Sequence, residues 1–268
     1  MSYKMLAVDM DDTLLSDDLT ISKENQDAIQ KAIEKGVRVV LCSGRSSSSL
    51  NPYLKQLNLK GDNQYGISYN GAIIFNTKTL EPIVQENVSI EYAKYLFEYA
   101  KKEKIHVQTY HKDALFVEKA NCYTERYKKL TGVAPVEVGD LTKWIKEDAI
   151  KVLFQDEHEK LVKIQEKLRP WVNGKLHMFF SKPFYLEFTS IYANKGLAVR
   201  RLGEILGIKR EEIICIGDSF NDLYMIEEAG LGVAVANAHP DIKKKADYVT
   251  TNNNNEGAVK EVIEKFIF

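Results

Sequence analysis

Two short apolar runs, residues 4–10 and 37–41, flank a stretch in which Ile21, Ala28, Ile29, Ala32 and Ile33 recur at helical spacing. Thr20 or Ser22 can cap that helix, and Gly36 can end it in the left-handed conformation. The first run stops abruptly in acids and turn formers, which favours a buried strand. Strand, helix and strand in this order form a βαβ unit, which requires a parallel pair and a right-handed crossover. The alternation returns toward the carboxyl end, with helices predicted over 194–206, 221–229 and 256–266, the first two closed by Gly207 and Gly230. Strands are predicted over 212–217, 231–235 and 248–250.

Between these ends the pattern changes. Hairpins are predicted over 71–88, around Thr77-Lys78-Thr79, over 105–118, around His111-Lys112-Asp113, and over 175–189. Helical stretches at 90–102, 120–130 and 159–168 intervene. Hairpins interleaved with helices indicate an α+β insert, placed at 82–188. It interrupts a Rossmann-like, doubly wound α/β core made of residues 1–81 and 189–268. The low-complexity pieces, 46–49 and 252–255, read as a helix start and a loop.

Composition narrows the function. Of 268 residues, 44% are hydrophobic and 28% charged, the balance of a globular chain rather than a disordered or fibrous one. Basic and acidic residues number 37 and 38, a net charge of -1, which gives no strongly basic surface for nucleic acid or anionic lipid. A small, locally recognised substrate is expected instead. Cys42, Cys122 and Cys215 are odd in number and lie in no metal-type cluster, which fits a reducing compartment. The run Met5-Leu6-Ala7-Val8 is too short for a signal-peptide core and far below the roughly 18 residues of a membrane span. A cytoplasmic protein with neither nucleic acid nor membrane as partner is therefore expected.

Chemistry concentrates after the strands. Asp9, Asp11 and Asp12 follow the first, and side chains two apart on a strand share a face, so Asp9 and Asp11 can point into one pocket at the strand's carboxyl end. Acids in that place are also found as solvated loop residues or helix caps. A second cluster, Gly217-Asp218-Ser219-Phe220-Asn221-Asp222, follows Ile213-Ile214-Cys215-Ile216, and Ser219 or Asn221 there could serve only as an N-cap. Carboxylates gathered from two strands repel unless a hard cation neutralises them, and an all-oxygen donor set points to magnesium. Ser43-Gly44-Arg45 closes the second strand and opens a helix, an arrangement that receives an anion and is also a common turn. Lys195 stands in the first turn of a predicted helix, where the macrodipole disfavours a cation, which implies an anion beside it. Asn70-Gly71 reads as a hairpin turn, and Thr13 as a residue that bonds the backbone and orients Asp11 or forms a plain turn.

Asp9-Met10-Asp11-Asp12-Thr13-Leu14, Ser43-Gly44-Arg45, Lys195-Gly196 and Gly217 to Asp222 resemble, in order and spacing, the four motifs of the haloacid dehalogenase superfamily of phosphatases. The insert resembles the C2 cap of its Cof-type (IIB) branch, and the tail from Gly232 through Asn237-Ala238 to Asn252 is also similar to that branch. Asp12 and Ala236 stand where the family often has glycine. The resemblance implies a magnesium-dependent phosphatase of small phosphorylated metabolites, sugar phosphates foremost. Asp9 would be the nucleophile and Asp11 the acid and base. Magnesium would be held by Asp9, the Asp11 carbonyl and Asp218 with Asp222 in support, and phosphate by Ser43, Gly44, Lys195 and Asn221. Arg45 would reach the leaving group or pair with core acids, and Asn70 would lie near the substrate. Tyr110, His111, Arg126, His177, Lys182 and Glu187 of the insert could face a cleft, and none is assigned a catalytic role. A phosphomutase would share this chemistry. A phosphoacceptor signalling module would share an acidic cluster and a lysine, but has neither the second acid two residues after its acceptor nor such an insert.

Overall fold

The computed structural model describes residues 2–268; Met1, where the first domain read from the sequence begins, lies outside the described residues. In chain order the elements are β1 (Met5–Asp9), α1 (Lys23–Glu34), β2 (Arg38–Cys42), α2 (Ser47–Gln56), β3 (Tyr65–Ser68), β4 (Ile73–Asn76) and β5 (Pro82–Gln85). There follow α3 (Ile90–Glu103), β6 (His106–His111), β7 (Ala114–Val117), α4 (Cys122–Thr131), β8 (Pro135–Glu137), α5 (Leu141–Trp144), β9 (Val152–Gln155), α6 (His158–Val172), β10 (Leu176–Lys182) and β11 (Tyr185–Ser190). The chain ends with α7 (Lys195–Leu206), β12 (Ile213–Gly217), α8 (Leu223–Glu228), β13 (Leu231–Ala234), α9 (Pro240–Lys243), β14 (Tyr248–Val249) and α10 (Ala258–Phe266). No helix among the described residues is long and apolar enough to cross a membrane.

Two compact units result, Met1–Val84 with Asn194–Phe268, and Gln85–Ala193. The first is built on an eight-stranded sheet of order β14-β13-β12-β1-β2-β3-β4-β5. It is parallel from β14 to β3, and β4 runs antiparallel to β3. The run at residues 5–9 is apolar without alternation because β1 lies between β2 and β12 with every side chain buried. Met5, Ala7, Val40 and Cys215 share a core cluster with Ala198, Val199 and Leu202 of α7 and Met225 of α8. Chain order reverses at β1, with β2 on one side and β12 on the other. The carboxyl ends of β1 and β12 are thus a topological switch point, where open α/β sheets bind ligands.

Pro82–Gln85 forms the edge strand of this sheet, so the first unit runs past the Pro82 boundary read from the sequence, and β11 carries the second unit beyond Phe188. Gly230 differs from its predicted role as a helix stop. The turn at Phe220–Asp222 and α8 end at Glu228, and Gly230 is where the backbone passes so close to Glu211 that a Cβ would lie 2.6 Å from its Cα.

The second unit carries a six-stranded sheet of order β10-β11-β9-β6-β7-β8. One face packs on α3 and α6 through Val107, Val152, Phe154, Leu186 and Phe188, joined by Leu96, Phe97, Leu161, Ile164 and Leu168. Periodicity explains the helices: Ala93, Leu96, Phe97 and Ala100 of α3 lie three or four apart and are all buried.

Candidate active site

β1 delivers Asp9 as its last residue. In the single turn that follows, Asp11 is extended and Asp12 adopts a left-handed φ of 59°, a conformation that aspartate accepts more readily than most residues. Asn237 fixes this turn: its Nδ2 donates to the Asp12 carbonyl at 2.7 Å, while its Oδ1 accepts the Asn254 N–H at 3.0 Å. β12 delivers Asp218 and, one short turn on, Asp222. A Cβ at Gly217 would lie 2.5 Å from the Asp222 Cβ, so glycine is what lets the two come together. α7 opens at Lys195, capped by Asn194, whose side chain accepts the Leu197 N–H at 2.7 Å.

The anion that Lys195 implied is a pair of carboxylates. Lys195 is fully buried, and its Nζ donates to Asp9 Oδ1 at 2.5 Å and to Asp222 Oδ1 at 2.6 Å. Asp222 Oδ2 accepts the main-chain N–H groups of Asp218 and Ser219, each at 3.1 Å. Thr13 Oγ1 donates to Asp218 Oδ1 at 3.3 Å, rather than to the backbone beside Asp11 as expected from its position in the turn. Asp9, Asp218 and Asp222 each offer a carboxylate oxygen within 4.8 Å of the others.

One lysine thus faces three carboxylates. Burial, and then the charge of Asp222, raise the Asp9 carboxyl well above its ordinary range, although Lys195 opposes them. Asp218 is pushed up to about 7, first by burial and then by Asp222. Burial works against the charge on Lys195, but Asp222 and Asp9 more than offset it and hold the ammonium above the usual lysine range. Unneutralised negative charge and oxygen donors alone suit a hard divalent cation. Both oxygens of Asp222 already accept hydrogen bonds, which leaves Asp9 and Asp218 as the better-placed donors.

Asp11 lies apart from that cluster, its side chain 46% exposed, and is gripped by Arg45: Nε donates to Oδ2 at 3.0 Å and Nη2 to Oδ1. The guanidinium lies 5.7 Å from the Tyr53 ring. Ser43 is buried, with its Oγ accepting the Arg45 N–H at 3.1 Å. The following helix starts only at Ser47, capped by Ser46, so Ser43-Gly44-Arg45 is a separate loop and not the helix opening expected from the sequence.

Asn70 ties this loop to the rest. Its N–H donates to the Ser43 carbonyl at 2.9 Å, and its Oδ1 accepts from Asn221 Nδ2 at 3.0 Å. A Cβ at Gly44 would come within 3.0 Å of Asn70 Oδ1. Tyr69, Asn70 and Gly71 have φ values of 51°, 56° and 95°, three left-handed residues in succession. Such strain persists where surrounding structure enforces it. At Gly71 a Cβ would lie 2.2 Å from the Asn194 carbonyl oxygen, directly before Lys195. Gly71→Ala is therefore expected to lower stability by about 1–3 kcal/mol in urea unfolding and to reduce turnover as Lys195 shifts. Wild-type stability and rate together would refute this account of the turn.

The expected residues thus form three linked groups: Asp9, Asp218, Asp222 and Lys195; Asp11 with Arg45; and Ser43, Gly44, Asn70 and Asn221. Thr13 and Asn237, both within the motifs noted in the sequence, bond to Asp218 and to the Asp12 carbonyl, partners too far along the chain to be read from local pattern.

The model of the haloacid dehalogenase-like hydrolases matches residues 6–263. The chain is 35% identical over 271 residues to YxeH of Bacillus subtilis (strain 168), provisionally named a phosphatase, with 98% of each chain covered. It is 30% identical over 261 residues to YcsE of the same organism, a 5-amino-6-(5-phospho-D-ribitylamino)uracil phosphatase, covering 97% of this chain and 94% of that one. The crystal structure of a haloacid dehalogenase-like hydrolase from Bacteroides thetaiotaomicron superposes with a TM-score of 0.91 at 33% identity, covering 100% of both chains. With the four motifs converging at the switch point of the sheet, the chain belongs to the haloacid dehalogenase-like hydrolases, in their Cof-type branch, and is a phosphatase.

Proposed function

We propose that this phosphatase hydrolyses small phosphorylated metabolites, sugar phosphates foremost, with magnesium and through an aspartyl-phosphate intermediate. The observation that carries this reading is the buried Lys195 bridging Asp9 and Asp222 beside Asp218. Asp9 Oδ1 is engaged by Lys195, so Oδ2 is the oxygen that attacks phosphorus while the bond to the leaving oxygen breaks. Asp11 gives its proton to that leaving oxygen, and in the second step takes one from the water that displaces Asp9. For this Asp11 must leave Arg45, which the half-exposed position of its side chain favours. Lys195 offsets charge on Asp9 and on the transferring group, and Ser43 and Asn221 hold phosphate oxygens. Asp9, Asp218 and the Asp11 carbonyl would hold magnesium, whose chemistry there is to neutralise the phosphoryl charge and the excess of carboxylates. The first unit is read as the catalytic core and the second as the cap that selects substrates. Cys42, Cys122 and Cys215 are all free thiols, which agrees with a cytoplasmic setting.

Phosphate release measured across a panel of phosphorylated metabolites should require magnesium and vanish in excess EDTA. Full activity in chelator would remove the metal from the mechanism.

Stability should report the same site. In EDTA the raised Asp218 and Asp9 make the folded chain bind protons that the unfolded chain loses near pH 4, so their contribution falls as pH rises from about 4 to about 7. Magnesium removes that penalty. Saturating magnesium should therefore raise Tm by roughly 5 °C or more at about pH 8, and by clearly less at about pH 5. Equal shifts at both pH values would contradict the charge argument.

A further inference from the structure

The tract Asn252-Asn253-Asn254-Asn255, which local pattern makes a loop, follows β14 and lies against the turn that carries Asp11. Beside it the loop after β13 carries Asn237. The two loops are tied together, because the Ala236 N–H donates to the Asn252 carbonyl at 3.3 Å and to Thr250 Oγ1 at 3.0 Å. Within the tract Asn253 Oδ1 accepts the Asn255 N–H at 2.8 Å, which shapes the turn and presents the last two side chains to residues 15–17.

Asn254 is the centre of these contacts and is only 3% exposed. A side-chain amide has two N–H groups to donate, and leaving either unmade in the interior is costly. Both go to one short segment: Nδ2 donates to the Leu15 carbonyl and to Asp17 Oδ1, each at 3.1 Å. Asn255 Oδ1 accepts the Asp17 N–H at 3.0 Å. The Asn254 main-chain N–H donates to Asn237 Oδ1, whose Nδ2 in turn donates to the Asp12 carbonyl. Asn237 is exposed, where water competes for its bonds, and the buried Asn254 keeps its amide aimed at Asp12. Aspartate would not serve at either position, since a carboxylate cannot donate to a carbonyl.

This clamp answers two opposed demands on Asp11. Its carboxylate is held by Arg45 and has to leave it to reach the leaving oxygen. Its main chain has to stay still, because Asp11 is extended and Asp12 left-handed, and rotation about either would swing the carboxylate away. β1 fixes the chain before Asp11, and the grip on Asp12 and Leu15 fixes it after, so that the side chain alone turns.

We propose that Asn254 and Asn237 are positioning residues for phosphoryl transfer, holding the main chain of Asp11 so that its carboxyl meets the leaving oxygen. This role rests on the reading of Asp11 as the acid given above.

The test compares the full-length wild type, Asn237→Ala, Asn254→Ser and, as reference, Asp11→Asn in saturating magnesium on two substrates of similar shape, p-nitrophenyl phosphate and benzyl phosphate. Nitrophenolate departs with little need of a proton, whereas the benzyl alkoxide requires one. Because kcat/KM covers only the steps through departure of the leaving group, its benzyl-to-nitrophenyl ratio isolates proton delivery. Loss of folded protein or of magnesium lowers both rates alike and leaves the ratio where it was. The ratio should fall roughly tenfold in Asn237→Ala and up to about 10²-fold in Asn254→Ser, the cost of about 1 Å of misplacement. Thermal denaturation checks the fold; should Asn254→Ser fail to fold, Asn237→Ala alone decides. A ratio unchanged in Asn237→Ala while Asp11→Asn lowers it overturns the positioning role and leaves the mechanism standing. A ratio that Asp11→Asn itself leaves unchanged overturns Asp11 as the acid, and the positioning role with it.

Discussion

Replacing Asp9 by asparagine should lower phosphate release by on the order of 10⁴-fold or more, because a neutral amide is a poor nucleophile and cannot carry the proposed covalent intermediate. The fold should survive. Asparagine has nearly the shape of aspartate, Lys195 keeps Asp222 as partner, and one of three crowded carboxylates is gone. Tm in EDTA should therefore equal or exceed that of the wild type, which separates loss of chemistry from loss of structure. Wild-type phosphate release by the purified variant would exclude Asp9 as the attacking group.

Lys195→Met carries the opposite signature, with activity and stability failing together. Its ammonium is the counter-charge of two buried carboxylates, and removing one side of a buried ion pair costs about 3–5 kcal/mol, roughly 10 °C in Tm for a chain of this size. The deficit should depend on pH. Asp9 is already raised with Lys195 present, and without it the folded chain holds the Asp9 proton still more tightly than the unfolded chain does. Stability then falls as pH rises above about 4 and returns as pH drops, so the gap to the wild type should be wider at about pH 8 than at about pH 5. A variant as stable as the wild type at the higher pH would show that Lys195 is not the keystone described.

The same lysine shows what a sequence makes legible. Lys195 was conspicuous because a cation in the first turn of a helix contradicts the macrodipole, and a local contradiction can be seen locally. Asp9 and Asp218 were legible because each follows an unbroken apolar run of the kind a parallel strand buried on both faces requires. β9 escaped notice because its four residues show neither helical nor strand periodicity, being buried on both sides, and a short apolar run of this kind is ambiguous. β3 contains Gly66 and begins no clear alternation, so local pattern makes Asn70-Gly71 a turn, and only the family resemblance puts Asn70 near the substrate. Its role in joining the Ser43 loop to Lys195 depends on contacts across the fold that no window of sequence contains. Lys151 was missed for a related reason: its partner Glu187 lies 36 residues on, and nothing near it in the chain marks it as buried.

The place of β1 between β2 and β12 has a consequence for synthesis. Met5 pairs in register with Arg38 on one side and Ile213 on the other. During translation the first partner is made at once, whereas the second follows after a delay of roughly 10–40 s at about 5–20 residues per second. Until then one edge of an apolar strand stands open, a site for wrong pairing between nascent chains. The second unit, whose strands all lie between the two halves, can fold in that interval. Because Lys195, Asp218 and Asp222 all arrive with the late half, the proposed phosphoryl-transfer centre cannot assemble before β12 and the turn after it have been made.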